Sequence, residues 1–293
     1  MMELLHFLLF TTIVRSGPIA LTAAGAAVSE SAGVVNIGLE GMMLTGAFSS
    51  AVVAYYTGNP WVGLLAGLGT GVLLGALHAV LAITLKANQI VAGIAVNLFA
   101  AGFTVFMMRI LFNQSGNTPA IEKLPTIAGV SWIVPIAYAA ILFLHVMLKR
   151  TVLGLRIRAV GEHPLAADTC GVNVYAVRYI AVIISGACAG VAGAYLSIGM
   201  LAQFTKGMSA GRGFMALAAM VFGRWKPLGA LWASLLFGFA DSVQMLVQMQ
   251  YPQIPSQIVM LLPYILTIGA VAGLVGKAMA PAADGVAYDK RDE

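Results

Sequence analysis

The sequence predicts an all-α fold, a polytopic transmembrane bundle of about nine spans (roughly eight to ten) with interrupted or re-entrant segments. Three observations carry this. Of 293 residues, 60% are hydrophobic and 9% charged, where a soluble domain carries about a quarter charged residues; most of the apolar surface must therefore face lipid. The apolar residues fall in runs of about 20, enough to cross a hydrocarbon core as a helix. The 33 glycines suit helices that approach backbone to backbone, and the alternating ten-residue segments of a barrel are absent.

Taken in order, the apolar runs cover 4–28, 38–56, 61–85, 89–112, 132–149, 176–199, 213–223, 228–248 and 258–276. The first has Glu3 and no basic residue ahead of it, so it reads as a retained span rather than a signal peptide. Arg15, Gly17 and Pro18 should break it, since proline lacks the N–H that continues a helix. The seventh is too short to cross straight. Such interruptions survive only where protein or water covers the freed backbone groups. The stretch 113–131, with Asn117, Pro119, Pro125 and Gly129, should be an irregular loop. Residues 1–277 read as one transmembrane domain with a polar loop at 150–175, and 278–293 as a short solvated cytoplasmic tail.

Charge sets the orientation. If the 149–175 loop is cytoplasmic, Lys86, Lys149, Arg150, Arg156, Arg158, Arg178, Arg224, Lys226, Lys277, Lys290 and Arg291 share its side. Arg15, Arg109, Lys123, Lys206 and Arg212 fall outside or within spans, in keeping with the positive-inside bias. The N-terminus is then outside and the C-terminus inside. The net charge of +5 records this loop bias and does not indicate a nucleic-acid polymer as partner.

Polar residues inside the apolar runs are the candidate sites, because an ionisable or amide group at membrane depth is costly unless it faces protein or a watery cavity. Asn36 and Glu40 lie in SAGVVNIGLEGMMLTGAF, Gln89 and Asn97 in NQIVAGIAVNLFAAG, and Asp241 in LLFGFADSVQML. Glu40 fits a permeation path or the headgroup-level end of the second span; Asn97 and Asp241 fit solute contact or interhelical hydrogen bonding. Phe204 and Arg212 precede the short seventh run, where a half-helix end fits a polar solute, though each also fits a structural role. Gly63, Gly67, Gly71 and Gly75 recur every fourth residue and make a smooth packing ridge. In the loop, Pro164 opens a two-turn helix that Gly171 closes. This helix lies along the cytoplasmic face either as a headgroup-level element or as a docking element for a partner.

Catalytic and cofactor motifs are missing. VAGLVGKA near the end has Val271 where a phosphate loop needs its first glycine, and Ala278 where it needs a hydroxyl. The four histidines are scattered, and Cys170 and Cys188 are too few for a metal cluster, so no metal and no cofactor is expected in this chain.

Four blocks in order, SAGVVNIGLEGMMLTGAF, NQIVAGIAVNLFAAG, GLRIRAVGEHPLAADTCGVNV and GRGFMALAAMVFGRWKPLGA, resemble the membrane-spanning permease subunits of bacterial ABC importers in the branched-chain amino acid and ribose permease superfamily, on the nucleoside or simple-sugar branch. The likeness runs from about 12 to 276. It implies a bacterial plasma-membrane protein that pairs as a homo- or heterodimer, receives a small polar solute from an extracytoplasmic binding protein, and is driven by a cytoplasmic ABC ATPase. It also implies that the helix from Pro164 to Cys170 is a coupling helix, with Arg156, Arg158, Gly161, Glu162, Pro164, Ala166, Ala167 and Gly171 forming the ATPase contact. Asn36, Glu40, Gln89, Asn97, Phe204 and Asp241 are the candidates for the solute path. A nucleoside would use Phe204 for stacking and Asn97 and Gln89 for hydrogen bonds; a sugar would use similar amides. The rival class is an ion-coupled secondary transporter, for which Glu40 and Asp241 are the best carboxylates.

Overall fold

In hydrocarbon every backbone N–H must find its partner within the protein, so long apolar runs wind into helices. The computed structural model describes residues 2–127, 129–251 and 279–290, with single positions at 253, 259, 261, 265 and 269. Apart from those positions, the expected span at 258–276 lies outside the described residues, as do Lys277 and Arg291. The elements are α1 (Met2–Glu30), α2 (Leu39–Thr57), α3 (Pro60–Ala79, continued by a π turn Val80–Thr84), α4 (Gln89–Phe112), β1 (Thr126–Ile127), β2 (Val130–Ser131), α5 (Ile133–Arg150), α6 (Val152–Glu162), α7 (Pro164–Thr169), α8 (Val174–Ala194, continued by a π segment Tyr195–Leu201), α9 (Arg212–Phe222) and α10 (Pro227–Gln250). The strands form one antiparallel hairpin with Thr126 opposite Ser131.

Among the described residues six helices are long and apolar enough to cross a membrane: α1, α3, α4, α5, α8 and α10. The expected count of about nine is not confirmed among the described residues, of which most of 258–276 is no part. α2 carries Glu40 and several hydroxyls, and α9 has only 11 residues. Local chemistry explains where helices start. Asn59 accepts the Trp61 N–H ahead of Pro60, Asn88 accepts those of Ile90 and Val91, and Asn173 accepts that of Ala176.

α8 is the hub. Its apolar window is 72% buried inside the bundle, against 28% for α3 and for α4, and it packs on α1, α2 and α3. The glycine ridge of α3 is what lets it do so. A Cβ on Gly75 would stand 3.1 Å from the Val182 carbonyl, and one on Gly71 would run into the Gly186 carbonyl. Gly63 faces Ser50 and Ala54 of α2. The ridge is thus an internal surface of this chain, shared with α2 and α8.

Two expectations are corrected. α1 is one continuous helix with Pro18 inside it. Proline leaves the Val14 carbonyl without its helical donor, and the Tyr195 hydroxyl from α8 donates to that carbonyl at 2.8 Å. Tyr138 adds a bond to the Ile13 carbonyl at 2.9 Å. Gly17 makes room, since a Cβ there would lie 2.8 Å from the Tyr195 ring. The second correction is α6, a helix where the sequence predicts loop. Thr151 caps it by accepting the Gly154 N–H at 3.1 Å, and Ile157 and Val160 bury its inner face.

Candidate functional site

Two polar regions interrupt the apolar bundle. The first is built on broken backbone. After α1 the chain runs through the segment 31–38 before α2 begins, and side chains from other helices satisfy its peptide groups. Gln89 Oε1 accepts the Val35 N–H at 2.7 Å, and His78 Nε2 lies 3.0 Å from the Val35 carbonyl. Asn97 uses both ends: Oδ1 accepts the Gly41 N–H at 2.7 Å, while Nδ2 donates to the Ile37 carbonyl at 3.0 Å. Asn36 donates to Ser185 Oγ at 3.2 Å. Asn36 Oδ1, Gln89 Nε2 and His78 Nδ1 are buried without a partner among the described residues.

Next to this segment, α9 begins deep in the bundle. The first N–H groups of a helix have no intrahelical acceptor and carry a partial positive charge. Glu40 answers them, Oε1 accepting from Gly211 at 2.8 Å and Oε2 from Gly213 at 2.7 Å. Arg212 Nη2 then pairs with Asp241 Oδ2 of α10 at 3.3 Å. Arg15 of α1 lies beside this pair, its Nη2 3.0 Å from Met245 Sδ. At 1.5 Å rise per residue, Arg15 stands about 22 Å from the Glu30 end of α1 and Asp241 about 21 Å from the start of α10. The cluster is therefore at mid-depth. Phe204 is fully buried and edge-on to Phe48 at 5.2 Å, in keeping with its structural reading. The Thr118 N–H and hydroxyl bind its carbonyl and N–H, so the 202–206 stretch is sealed against the 113–124 loop.

The second region caps one end of the bundle. Arg156, Arg158, Glu162, Leu165, Ala166 and Gly171 are exposed on α6, α7 and the turn beyond, and Pro164 is half-buried, while Ala167 and Gly161 face inward. Gly161 is held so close that a Cβ would collide with the Ser31 carbonyl. Gly171 ends α7 with φ +82°.

The tail, expected to be solvated, instead lies across this region as a strap. The Ala283 N–H donates to the Gly161 carbonyl at 2.9 Å, and the fully buried Arg178 donates to the Val286 carbonyl at 2.9 Å. Tyr288 packs on Tyr175 with ring centroids 5.3 Å apart. Lys86 pairs with Asp289, and Lys290 with Asp168 of α7 at 2.9 Å. The Lys290 ammonium holds the Asp168 carboxyl below its ordinary range. Asp284 goes the other way: burial pushes its carboxyl up to about 6, against the opposing pull of the Gly285 N–H and Arg178.

Arg15 and Tyr195 as partners, and the 279–290 strap, are functional features the sequence does not reveal. Arg15 in an apolar run was the one available signal; the hydroxyl and the strap act over separations of 181 and more than 100 residues.

A helical bundle with a half-length helix opening onto charged groups at mid-depth, and a polar face at one end, is the architecture of a membrane permease. Its family follows from its relatives. The family described as the permease component of the branched-chain amino acid transport system matches residues 8–280, and the chain belongs to it. It is 39% identical to the guanosine ABC transporter permease protein NupQ of Bacillus subtilis, and 38% identical to the nucleoside ABC transporter permease protein NupC of Lactococcus lactis, with 98% of each chain covered in both cases. A putative glucose ABC transporter permease of Haloferax volcanii is 39% identical over 81% of this chain and 77% of its own. This protein is the multi-pass permease subunit of an ABC importer in the inner membrane, and the family implies ATPase and solute-binding partners.

Proposed function

We propose that this chain forms the translocation path for a nucleoside, with its N-terminus outside and the strap and α6–α7 in the cytoplasm. The observation that carries the path is the mid-depth α9 N-terminus, where Glu40, Arg212, Asp241 and Arg15 surround an interrupted helix. A polar solute needs hydrogen-bond partners at that depth. Asp241 and the unpartnered Oδ1 of Asn36 supply acceptors there, and the unpartnered Nε2 of Gln89, at the start of α4, supplies a donor further along the path, of the kind a ribose and base require. The substrate class rests on the two full-length relatives named for guanosine and nucleosides. A simple sugar is the second reading, because the Haloferax relative is named for glucose.

In the proposed mechanism two permease subunits pair, as homo- or heterodimer, and receive solute from an extracytoplasmic binding protein. ATP binding draws the two ATPase domains together, and α7, with Pro164, Ala166, Ala167 and Gly171, follows its groove. Arg156, Arg158, Gly161 and Glu162 of α6 hold that contact. The spans then alternate between outward- and inward-open states around the α9 site.

The test is uptake in proteoliposomes. With the ATPase and binding protein present, guanosine should enter only with ATP inside or outside as the ATPase orientation dictates; uptake by the permease alone under an ion gradient would sink the ABC mechanism in favour of a secondary carrier. Replacing both Arg158 and Glu162 by alanine should cut uptake by about tenfold while the protein remains in the membrane, since interface charges are worth one to a few kcal/mol. Normal substrate-stimulated ATP hydrolysis in that variant would refute the docking role of α6–α7.

A further inference from the structure

Among the described residues, the α9–α10 turn is the one place where two consecutive side-chain-bearing residues take positive φ. Arg224 and Trp225 both adopt positive φ, each +54°, a conformation that side-chain-bearing residues rarely take and that structure retains only when neighbours fix it. Trp225 shows what fixes it: its indole Nε1 donates to Glu30 Oε2 at 2.7 Å. Gly223 and Gly229 close the turn, since a Cβ on either would collide with the other's backbone. The effect is to turn Arg224 and Lys226 outward, and both are exposed.

They do not stand alone. Ser31, Arg158, Glu162, Arg224, Trp225, Lys226, Met279 and Pro281 line one recess of about 330 Å³. Three cations and one carboxylate share it. Among the described residues none of the three cations has an ion pair within 4 Å, and Glu162 is turned to the Ala282 N–H at 3.4 Å. The recess touches α6, the strap and the α9–α10 turn at once, directly beside α7.

We propose that this recess is a second seat for the ATPase, taking an acidic side chain from its surface while α7 occupies the groove. Charge complementarity selects that occupant: uncompensated cations at a contact surface attract and orient a carboxylate-bearing partner. The seat gives the partner a direct hold on α9. That helix is 11 residues long, about 16 Å at 1.5 Å per residue, with the strained turn at one end and the Glu40-bound N-terminus at the other. A displacement of the turn reaches the mid-depth cluster through a single rigid element. The proposal rests on the reading of α7 as the coupling helix, and the experiment separates the two.

Binding of the purified ATPase to the full-length permease in nanodiscs would be measured for the wild type, Leu165→Arg on α7, Arg224→Glu with Lys226→Glu, and Arg224→Gly. The double reversal should weaken binding about tenfold at low salt, and the deficit should shrink as salt screens the contact. Arg224→Gly removes one charge and relieves the left-handed strain, so it should fold at least as well as the wild type and still bind several-fold more weakly, roughly. Wild-type binding by both turn variants, with Leu165→Arg defective, would overturn the second seat and leave α7 standing. Wild-type binding by Leu165→Arg would overturn α7 as the coupling helix, and a defect in the turn variants would then be the whole dock. A defect seen only in nanodiscs containing anionic lipid would assign the recess to a headgroup and overturn the proposal.

Discussion

The mid-depth cluster and the α6–α7 face use the same few charged side chains to opposite ends. At mid-depth the charge is consumed internally. Glu40 gives both carboxylate oxygens to the start of α9, and Arg212 meets Asp241. At the face, Arg156, Arg158, Arg224 and Lys226 stand exposed and outside the ion pairs formed there. Where water is excluded, a broken helix leaves amides that only a charge or an amide side chain can satisfy. Where water is present, charge costs nothing to leave open and is free for a partner. The same residue types are therefore held in fixed positions along the proposed solute path in one region and left open to a macromolecular partner in the other.

The sharpest way to break that contrast is Glu40→Ala. It strips two charge-assisted bonds from the α9 N-terminus, and the expected loss is about 3 kcal/mol of stability, read as a lower melting temperature in detergent together with lost uptake. Unchanged melting with lost uptake would move Glu40 from scaffold to solute contact. Next in size is Gly71→Val, which forces a branched side chain into the Gly186 carbonyl; overpacking of this kind costs about 2–3 kcal/mol and should separate α3 from α8, measured by crosslinking yield across that seam. Tyr195→Phe removes the donor that repairs α1 at Pro18. About 1 kcal/mol is expected, with increased amide exchange in α1 around Pro18 as the signature.

The smallest effect belongs to the face and sharpens the contrast by pH. The folded-state value of Asp284, about 6, lies above the ordinary 3.8. Its contribution to strap docking is therefore full below about 4 and is lost as pH rises through about 6. Spin labels on the exposed Cys170 and on a cysteine placed at Val286 should show a narrow distance distribution near pH 4.5 that broadens toward pH 7. Asp284→Asn should remove the pH dependence and keep the narrow form.

Much of the bundle was readable from apolar runs, because hydrocarbon leaves helix as the only solution; α4, α5 and α10 begin within a residue of their predicted starts. The short α9 was readable as an interruption for the same reason. α6 was not, since GLRIRAVGE mixes charge and glycine and its helix depends on Ile157 and Val160 finding a core. Pro18 misled because local rules give proline no rescue, and its rescuer is a tyrosine on another helix. Among the candidate residues, Asn36, Gln89 and Asn97 do gather on one interrupted segment, and Glu40 and Asp241 both reach the N-terminal end of the short helix that Arg212 opens. Phe204 does not join them: its fate was set by Thr118, which no periodicity connects to it.

The strap has a consequence for how the protein is made. Residues 279–290 leave the ribosome after every helix from α1 to α10, yet they close over α6, α7 and the loop after α1. The α6–α7 face is thus completed only after α10 has been made. A chain whose synthesis stops before residue 279 would present Gly161, Arg178 and Asp168 without the strap contacts that order them, so the α6–α7 face takes its described form only in chains translated through the strap.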